Sequence, residues 1–353
     1  MKILLLGGTG AMGAHLVDIL SKDKDNFIFV TTRKTNFSNT NNVQFLHKNA
    51  MDEDDLCDIL KLNDWDCIVD FMVYETEQFN KRIQELLKSC KQYVFLSSSR
   101  VYADSNIPIT ENSKRLLDVT TDKDYLKTDE YALTKARQEN LLFENKNKNW
   151  TIIRPYITYS ENRLQLGVHE KELWLNCALK YNKLIFSNDI AKHITTITYG
   201  YDVARGIAAI IGKQSALGEA FHITGNNSIS WQKVYEIYSQ TLKENGFYCD
   251  EYIREKTYKL ETKGKYQVLY DRYYDRIFDN SKIEKYLDVS TFVTPEEGLK
   301  KCLCAFLRNP IFLTYDVQQT ILFLGNTKTK LPFNTIKGIK QKIKYILIKL
   351  HLY

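Results

Sequence analysis

The sequence predicts an α/β protein: a doubly wound parallel sheet, followed by a smaller mixed lobe and a basic helical tail. Three observations support this fold class. Short apolar, β-branched runs alternate with helical patterns up to about Ser160, and mixed elements replace this alternation beyond it. Lysines and regularly spaced isoleucines then dominate the end of the chain.

The strands of the predicted sheet are short runs with the composition of buried strands. They are Ile3–Leu6, Phe27–Thr32, Val43–Leu46, Cys67–Met72, Tyr93–Ser97 and Thr151–Arg154. Segments with helical spacing lie between or after them: Ala14–Leu20, Asp54–Leu60, Phe79–Cys90 and Asp129–Phe143. Strands that alternate with helices imply a parallel sheet covered on both faces.

The later part of the chain predicts a second lobe. Helical patterns cover Lys171–Tyr181, Ser230–Glu244 and Pro295–Leu307, and Tyr248–Tyr274 is rich in tyrosine. We expect residues 1–159 with about 194–229 to form the sheet domain. The smaller lobe would contain about 160–193 with 230–310, and 311–353 would form the tail.

The positive charge of the protein is concentrated in the tail. The net charge is +6, but the segment from Val317 to Tyr353 has seven lysines and no acidic residue. The rest of the chain is therefore close to neutral, which argues against a nucleic-acid partner. No apolar stretch reaches the roughly 18–20 residues of a membrane span. The apolar N-terminal run stops at Gly7, so we expect a cytoplasmic protein. Seven cysteines without metal-like spacing predict neither a disulfide nor zinc.

The tail has the pattern of a basic amphipathic helix. Its apolar residues at helical spacing, with lysines between them, are Ile336, Ile339, Ile343, Ile346, Leu347 and Leu350. Such a helix can dock on its own domain, pack against a second subunit, or lie peripherally on the anionic inner face of a membrane.

A glycine-rich loop directly after the first predicted strand carries the strongest local signal. Its GxxGxxG spacing permits a tight turn, close approach of the backbone to a pyrophosphate, and close packing of helix on strand. The helix N-terminus would add free N–H groups. This pattern predicts a Rossmann dinucleotide site that includes Gly7, Thr9, Gly10, Ala11, Met12 and Gly13.

The end of the second predicted strand bears on the choice of cofactor. An acidic residue there would bind the ribose 2′-hydroxyl of NAD. The sequence instead has Thr32-Arg33-Lys34, and Arg33 can pair with a 2′-phosphate. We therefore favour NADP(H) over NAD(H), although an ordinary solvated turn would have the same residues.

Tyr131 and Lys135 are the candidate catalytic pair. At i and i+4 they share one face of the predicted helix. A tyrosine with its usual pKa near 10 is a poor base at neutral pH, and a neighbouring ammonium stabilises its phenolate. The serines Ser97–Ser99 end the fifth predicted strand, at the sheet edge where α/β proteins bind ligands.

The chain resembles the extended short-chain dehydrogenase/reductases, the NAD(P)-dependent epimerase/dehydratase proteins that mostly act on nucleotide sugars. The resemblance extends over roughly residues 1–306. It rests on the glycine loop, Ser97-Ser98-Ser99-x-Val101-Tyr102, Tyr131-x-x-x-Lys135, Ile153-Arg154-Pro155, Tyr201–Gly206, Gly218–Ile223, Phe278–Lys282 and Thr294–Gly298.

The resemblance implies roles for the matching positions. Tyr131 would be the general acid/base, Lys135 would hold the nicotinamide ribose and lower the tyrosine pKa, and Ser98 would be the catalytic serine. Further cofactor contacts would come from Asn49, Ala50, Phe71, Met72 and Pro155. Asn49 stands where relatives often have an acidic residue near adenine. A homodimer is also implied.

Departures from the family pattern narrow the expected chemistry. Dehydratases usually carry Asp-Glu directly after the catalytic residue, where this chain has Ser99 and Arg100, so we expect no 4,6-dehydratase. Reduction of a keto group with NADPH is favoured by Arg33, and epimerisation with tightly bound NAD is the alternative. A dinucleotide-sensing or RNA-binding protein of the same fold would be expected to lack the Tyr131–Lys135 pair.

The predicted substrate is a nucleotide-linked sugar, as used in polysaccharide biosynthesis. Its candidate contacts are Ser99, Arg100, Arg163 and Arg272, the last two as guanidinium ligands of a diphosphate. Each of these arginines can equally be a surface residue.

Overall fold

The central feature of the protein is a parallel sheet. The structure is a computed structural model that describes residues 1–35, 37–262 and 264–350. Its strands are β1 (Lys2–Leu6), β2 (Phe27–Thr32), β3 (Val43–His47), β4 (Trp65–Asp70), β5 (Cys90–Leu96), β6 (Trp150–Pro155), β7 (Thr158–Tyr159), β8 (Gln165–Leu166), β9 (His169–Glu170), β10 (Lys183–Ser187), β11 (Ile194–Thr195), β12 (Thr198–Tyr199), β13 (Glu219–Ile223), β14 (Ile229–Ser230) and β15 (Asp250–Arg254). Its helices are α1 (Gly13–Leu20), α2 (Glu53–Leu60), α3 (Thr76–Lys88), α4 (Leu116–Val119), α5 (Lys123–Leu126), α6 (Tyr131–Phe143), α7 (Trp174–Tyr181), α8 (Asn188–Ala191), α9 (Gly200–Ile210), α10 (Trp231–Glu244), α11 (Lys265–Gln267), α12 (Pro295–Arg308), α13 (Val317–Leu324) and α14 (Ile339–Lys349).

Within the described residues, seven parallel strands form the main sheet in the order β13-β6-β5-β4-β1-β2-β3. Helices cover both faces, and successive side chains of a strand point to opposite sides. Ile3 and Leu5 pack with α1 and α9, whereas Leu4 and Leu6 pack with α2, α3 and α6. The Rossmann-like α/β fold expected from the sequence is therefore confirmed.

The predicted strands and helices of the first part all occur, with shifted ends. The fourth strand ends at Asp70, so Phe71 and Met72 follow β4 instead of ending it. Strand β13 pairs with β6 but was not among the predicted strands. Its sequence, Glu219–Ile223, contains two polar residues and lacks the β-branched run of the other strands.

The chain divides into two units. The first unit contains Met1–Ser160, Thr196–Ser228 and Arg276–Pro295, and the second contains Glu161–Thr195, Ile229–Asp275 and the chain from Glu296 onward. This division differs from the predicted one, which left 276–295 in the smaller lobe and the tail separate.

Hydrogen bonds between segments that lie far apart in the sequence explain the difference. In the first unit, the Ile109 amide donates to the Ile277 carbonyl at 2.8 Å, and the Asp279 amide donates to the Ile109 carbonyl at 2.9 Å. In the second unit, the Lys180 ammonium donates to the carbonyl of Thr335 in the tail at 2.6 Å. Such partners lie far apart in the sequence, so local patterns did not predict them.

The second unit is a mixture of helices and two-stranded sheets, of which β10 with β15 is the longest. Its aromatic residues pack internally: Trp174 of α7 stacks on Tyr238 of α10 with ring centres 4.6 Å apart. In the described part of the chain, no helix has the length and hydropathy required to cross a bilayer. Residues 351–353 of the predicted tail lie outside the described residues.

Candidate active site

The glycine loop joins β1 to α1, and each of its three spaced glycines has its own environment. Gly7 has a φ of +72°, and a Cβ there would lie 2.6 Å from the Met72 sulfur. A Cβ on Gly13 would lie 2.6 Å from the backbone of Gly8, so the helix can approach the strand only with glycine. Around Gly10, by contrast, no described atom lies within 4 Å of the Cβ position. The backbone at Gly10 is therefore open to a ligand.

The start of α1 adds an electrostatic contribution. Met12 occupies the N-cap without a side-chain cap hydrogen bond, and no acidic residue lies in the first turn. Thr9 and Ala11 are partly exposed along the loop. Uncapped N–H groups at the positive end of the helix dipole suit an anion. The loop thus fits the pyrophosphate of a dinucleotide.

Residues beyond β2 and β3 occupy the region expected to face the adenosine end. Arg33 is exposed after β2, and its carbonyl oxygen lies 3.1 Å from the His47 ring nitrogen Nε2. The Asn49 side-chain oxygen accepts from the Met51 amide at 3.3 Å, while Ala50 is buried. The Asn49 oxygen is therefore engaged within its own loop.

The segment after β4 lies beside the glycine loop. The Phe71 amide donates to the Leu6 carbonyl at 3.0 Å, and the Met72 amide donates to Asp70 at 2.9 Å. Asp70 is fully buried, and burial raises the pKa of its carboxyl. It also accepts the Tyr93 hydroxyl at 2.8 Å. Sequence reasoning missed this residue, although an acid that ends an apolar strand was the available signal.

Tyr131 is the first residue of α6, and Glu130 caps that helix by accepting the Ala132 amide at 2.9 Å. The Tyr131 side chain is 36% exposed, so its ring remains accessible. Its position at a capped helix start fixes the backbone from which the phenol projects.

Lys135 is buried one turn further along α6, with only 1% of its surface exposed. Its ammonium donates to the Leu96 carbonyl at 2.8 Å, at the carboxyl end of β5. Burial lowers the pKa of Lys135 to about 8, although Asp70 and Glu139 act in the opposite direction. The contact joins the tyrosine–lysine helix to the strand that carries the serines.

The three serines after β5 have different hydrogen-bond partners. Ser97 donates to Glu139 at 2.6 Å, and Ser99 donates to the Arg154 carbonyl at 2.7 Å. The Ser98 oxygen accepts from the Arg100 amide at 3.2 Å, so its hydroxyl keeps a hydrogen to donate. Ser98 is therefore the best suited of the three to contact a substrate oxygen. Ser99, expected on the substrate side, is fully buried and bonded internally.

An ion pair joins the serine turn to the start of α6. The Arg100 guanidinium lies 2.6 Å from Glu130 and 5.4 Å from the centre of the Tyr131 ring. Glu130 also accepts the Tyr125 hydroxyl at 3.1 Å. These contacts bring the segment that carries Ser98 next to the segment that begins with Tyr131. Neither Glu130 nor Tyr125 was a sequence candidate, because the Arg100 partner of Glu130 lies 30 residues away in the sequence.

Glu139 connects α6 to the end of β5 and to β6. The sequence analysis did not identify it as a site residue. Arg154 donates to it twice, at 2.7 and 2.8 Å, and Arg115 donates at 3.1 Å. Its carboxylate is fully buried and receives Ser97 as well. Pro155, an expected cofactor contact, directly follows Arg154 at the end of β6 and is partly buried.

The two arginines expected to bind a diphosphate both lie in the second unit and differ from each other. Arg163 is partly exposed and pairs with Glu170 at 3.1 Å. Arg272 is buried, where it pairs with Asp271 and donates to the Gly167 carbonyl at 2.9 Å. These bonds are inconsistent with the predicted contact between Arg272 and a substrate phosphate. The sequence pattern could not indicate them.

Comparison with known proteins gives a consistent result. The model of the NAD dependent epimerase/dehydratase family matches residues 3–224. A curated protein of Bacillus subtilis strain 168, described as an uncharacterized UDP-glucose epimerase, is 25% identical over 273 residues, which cover 67% of this chain and 81% of that protein.

Solved structures show the same fold. UDP-glucuronic acid 4-epimerase from Bacillus cereus, in complex with UDP-glucuronic acid and NAD, is 18% identical with a TM-score of 0.64 and covers 87% of this chain and 99% of its own. UDP-glucose 4-epimerase from Thermotoga maritima, with UDP-glucose, is 16% identical with a TM-score of 0.63, at 87% and 99% coverage. dTDP-glucose 4,6-dehydratase from Bacillus anthracis, in complex with NAD, is 17% identical with a TM-score of 0.64, at 88% and 97% coverage.

Proposed function

This chain belongs to the NAD dependent epimerase/dehydratase family, and from that membership we propose that it epimerises a nucleotide sugar by reversible hydride transfer. The observation that carries the proposal is the arrangement of Ser98, Tyr131 and Lys135 around the carboxyl end of β5. It lies in the unit that also carries the open glycine loop at Gly10.

Each of these side chains has a role in the proposed reaction. Tyr131 as phenolate takes the proton of the sugar hydroxyl, and Lys135 stabilises that phenolate while its ammonium is held by the Leu96 carbonyl. Ser98 donates a hydrogen bond to the same sugar oxygen and fixes its position. A bound nicotinamide supplies the acceptor, and later the donor, of the hydride. Tyr131 returns the proton when the hydride is delivered to the opposite face of the sugar carbon.

Two observations support epimerisation over dehydration. Elimination of water needs an acid and a base beside the catalytic serine, and here Ser99 donates to the Arg154 carbonyl while Arg100 is a guanidinium. Glu130 is the nearby carboxylate, but it already accepts from Arg100, Tyr125 and the helix backbone. The curated relative from Bacillus subtilis is described as a UDP-glucose epimerase.

A reductase that uses NADPH is the second candidate, and Arg33 is the observation that favours it. It is exposed directly after β2, where a guanidinium suits a 2′-phosphate. Arg163, partly exposed, is the remaining candidate for the substrate diphosphate. The homodimer and the place in polysaccharide biosynthesis stay predictions. The intact Tyr131–Lys135 pair argues against a protein that only senses a dinucleotide or binds RNA.

The experiment has two steps. First, the purified protein is denatured and any released dinucleotide is identified by mass spectrometry. Second, UDP-glucose and UDP-glucuronic acid are each incubated with the protein and analysed chromatographically for the 4-epimer. Tyr131→Phe is the test variant, and Tyr248→Phe, an exposed tyrosine of the second unit, is the control.

Retained NAD with epimer formation that Tyr131→Phe abolishes supports the epimerase. A protein purified without dinucleotide that oxidises NADPH in the presence of a keto nucleotide sugar supports the reductase instead. Equal turnover by Tyr131→Phe and the unchanged protein would refute both, because both assign the proton transfer to this phenol.

A further inference from the structure

Helix α14 carries a stripe of apolar side chains that faces solvent. Ile339, Ile343, Ile346 and Leu350 are 78%, 53%, 45% and 59% exposed. Their spacing of four, three and four residues places them on one face of the helix. The apolar face of an amphipathic helix is usually buried, so an exposed apolar face marks an interaction site. We call these four residues the outer stripe.

The opposite face of α14 is held by its own unit, so the orientation of the outer stripe is defined. Gln341 accepts the Val317 amide at 3.0 Å, and Lys344 pairs with Asp316 at 3.2 Å. The Tyr345 hydroxyl donates to a backbone carbonyl of the preceding loop at 3.0 Å. These contacts of α14 with its own unit lie on the side of the helix away from the outer stripe, which therefore faces outward.

Lysines flank the outer stripe on both sides. At 100° per residue, Lys340 lies on one side of it, and Lys342 and Lys349 lie on the other. The sequence has no acidic residue from Val317 to the end of the chain. An apolar stripe between two rows of cations matches a surface that is anionic outside and apolar beneath.

A cavity of about 430 Å³ in the same unit is also lined by both apolar side chains and lysines. Its lining includes Phe312 and Leu313 together with Lys180 and Lys337, and Lys337 lies two residues before α14. Leu313 is itself strongly exposed. The second unit thus presents further apolar side chains beside lysines outside the outer stripe.

We propose that the outer stripe docks this protein on an anionic lipid bilayer, with α14 lying in the interfacial plane. The alternative partner for the outer stripe is a second copy of the chain. A two-fold interface would place the lysine rows of both copies against each other with no acid among them, which is repulsive. Anionic headgroups instead attract each lysine near the surface. The inference does not depend on the proposed enzymatic function.

The test is flotation of the full chain with vesicles. Vesicles of phosphatidylcholine with phosphatidylglycerol are compared with phosphatidylcholine alone, at low and high salt. The test variant combines Ile343→Asp and Ile346→Asp, and the matched control is Ile107→Asp, an exposed isoleucine of the first unit. Because all three positions are exposed, circular dichroism should report the same fold for every protein. Size-exclusion chromatography reports the oligomeric state of each.

We expect flotation with the anionic vesicles only, reduced by salt, because Debye screening weakens lysine–headgroup attraction. The double variant should lose at least about tenfold in partitioning, because each Asp replaces an inserted apolar side chain with a charge. Ile107→Asp should float like the unchanged protein. Absence of flotation overturns the proposal, as does equal flotation of the double variant. A dimer that the double variant converts to a monomer, without vesicle binding, assigns the stripe to a second copy instead.

Discussion

The Arg100 guanidinium lies 2.6 Å from the Glu130 carboxylate, and Glu130 directly precedes Tyr131 in the chain. Both side chains are mostly buried, which makes the pair more rigid than a surface ion pair. The same guanidinium lies 5.4 Å from the centre of the Tyr131 ring. The ion pair is therefore placed to hold the start of α6 and the phenol of Tyr131 in position, and a contact of Arg100 with the substrate stays a prediction.

The first prediction tests this positioning. Arg100→Gln removes the charge and should lower kcat about tenfold or more, with a smaller change in KM, because misplacing the proton acceptor slows the chemical step. Lys91→Gln is the control, since it breaks an exposed ion pair with Asp66 far from the site. Steady-state kinetics with whichever of UDP-glucose and UDP-glucuronic acid the protein converts provide the measurement. An unchanged kcat would remove Arg100 from the positioning role.

The second prediction separates the two functions of the glycine loop. Gly10→Ala places a methyl group in open space, so the protein should unfold at the same temperature but bind dinucleotide about tenfold more weakly. Gly13→Ala drives a methyl against the Gly8 backbone and should cost about 1–3 kcal/mol of stability. Thermal denaturation and fluorescence titration with NADH distinguish the two. Unaltered binding by Gly10→Ala would contradict the assignment of the loop to the pyrophosphate.

The third prediction concerns pH and Lys135. Its pKa is lowered from 10.5 to about 8 by burial, so the folded chain releases this proton earlier than the unfolded chain. The cost of the buried charge is fully present below pH about 8 and disappears as pH rises toward 10.5. The stability of the unchanged protein relative to Lys135→Met should therefore rise above pH 8, by about 1.4 kcal/mol per pH unit.

Urea unfolding at a series of pH values measures this difference. Lys127→Met, which removes an exposed lysine, is the matched comparison. A stability difference between the unchanged protein and Lys135→Met that does not vary with pH would mean that the ammonium is solvated in the folded state. Activity of Lys135→Met should be lost at every pH, because its methionine cannot stabilise a phenolate.

The sequence predicted the parts of the site that depend on local pattern. Gly7, Gly10 and Gly13 lie in one continuous segment that ends at the first residue of α1, and Tyr131 and Lys135 are separated by one helical turn. Spacing alone therefore indicated their geometry. The alternation of strands and helices likewise predicted the sheet.

Contacts between distant segments could not be predicted in this way. Asp70 meets Tyr93 across neighbouring strands, and Glu139 meets Arg154 across a helix and a strand. The local sequence around Asp70 or Glu139 does not indicate which residue either acid contacts. The engagement of Arg272 with the Gly167 carbonyl is a further case, since 105 residues separate the two. Whether such side chains are buried and paired depends on the folded structure, so local sequence pattern cannot predict it.

The fourth prediction addresses the cofactor. Arg33→Ala should weaken NADPH binding about tenfold and leave NADH binding unchanged if the guanidinium holds a 2′-phosphate. Lys34→Ala, the exposed neighbour, is the control. Isothermal titration with both dinucleotides gives the ratio of affinities. Equal affinities of the unchanged protein for NADH and NADPH would reject the NADP preference and strengthen the epimerase proposal.

The last prediction concerns the buried network beneath the site. Glu139 is fully buried and accepts from Arg154, Arg115 and Ser97. Glu139→Ala leaves the Arg154 guanidinium without its carboxylate, whereas Arg115 keeps its pair with Asp118. Removing one partner of a buried ion pair costs about 3–5 kcal/mol, because the remaining charge stays desolvated.

The matched control is Glu219→Ala, which breaks an exposed pair with Lys282 and should cost less than about 1 kcal/mol. Urea unfolding at neutral pH measures both variants. A loss at Glu139 no larger than that at Glu219 would mean that water enters the network in the variant and solvates Arg154. In that case, the network does not hold β5, β6 and α6 together, and the site must rely on the Lys135–Leu96 contact instead.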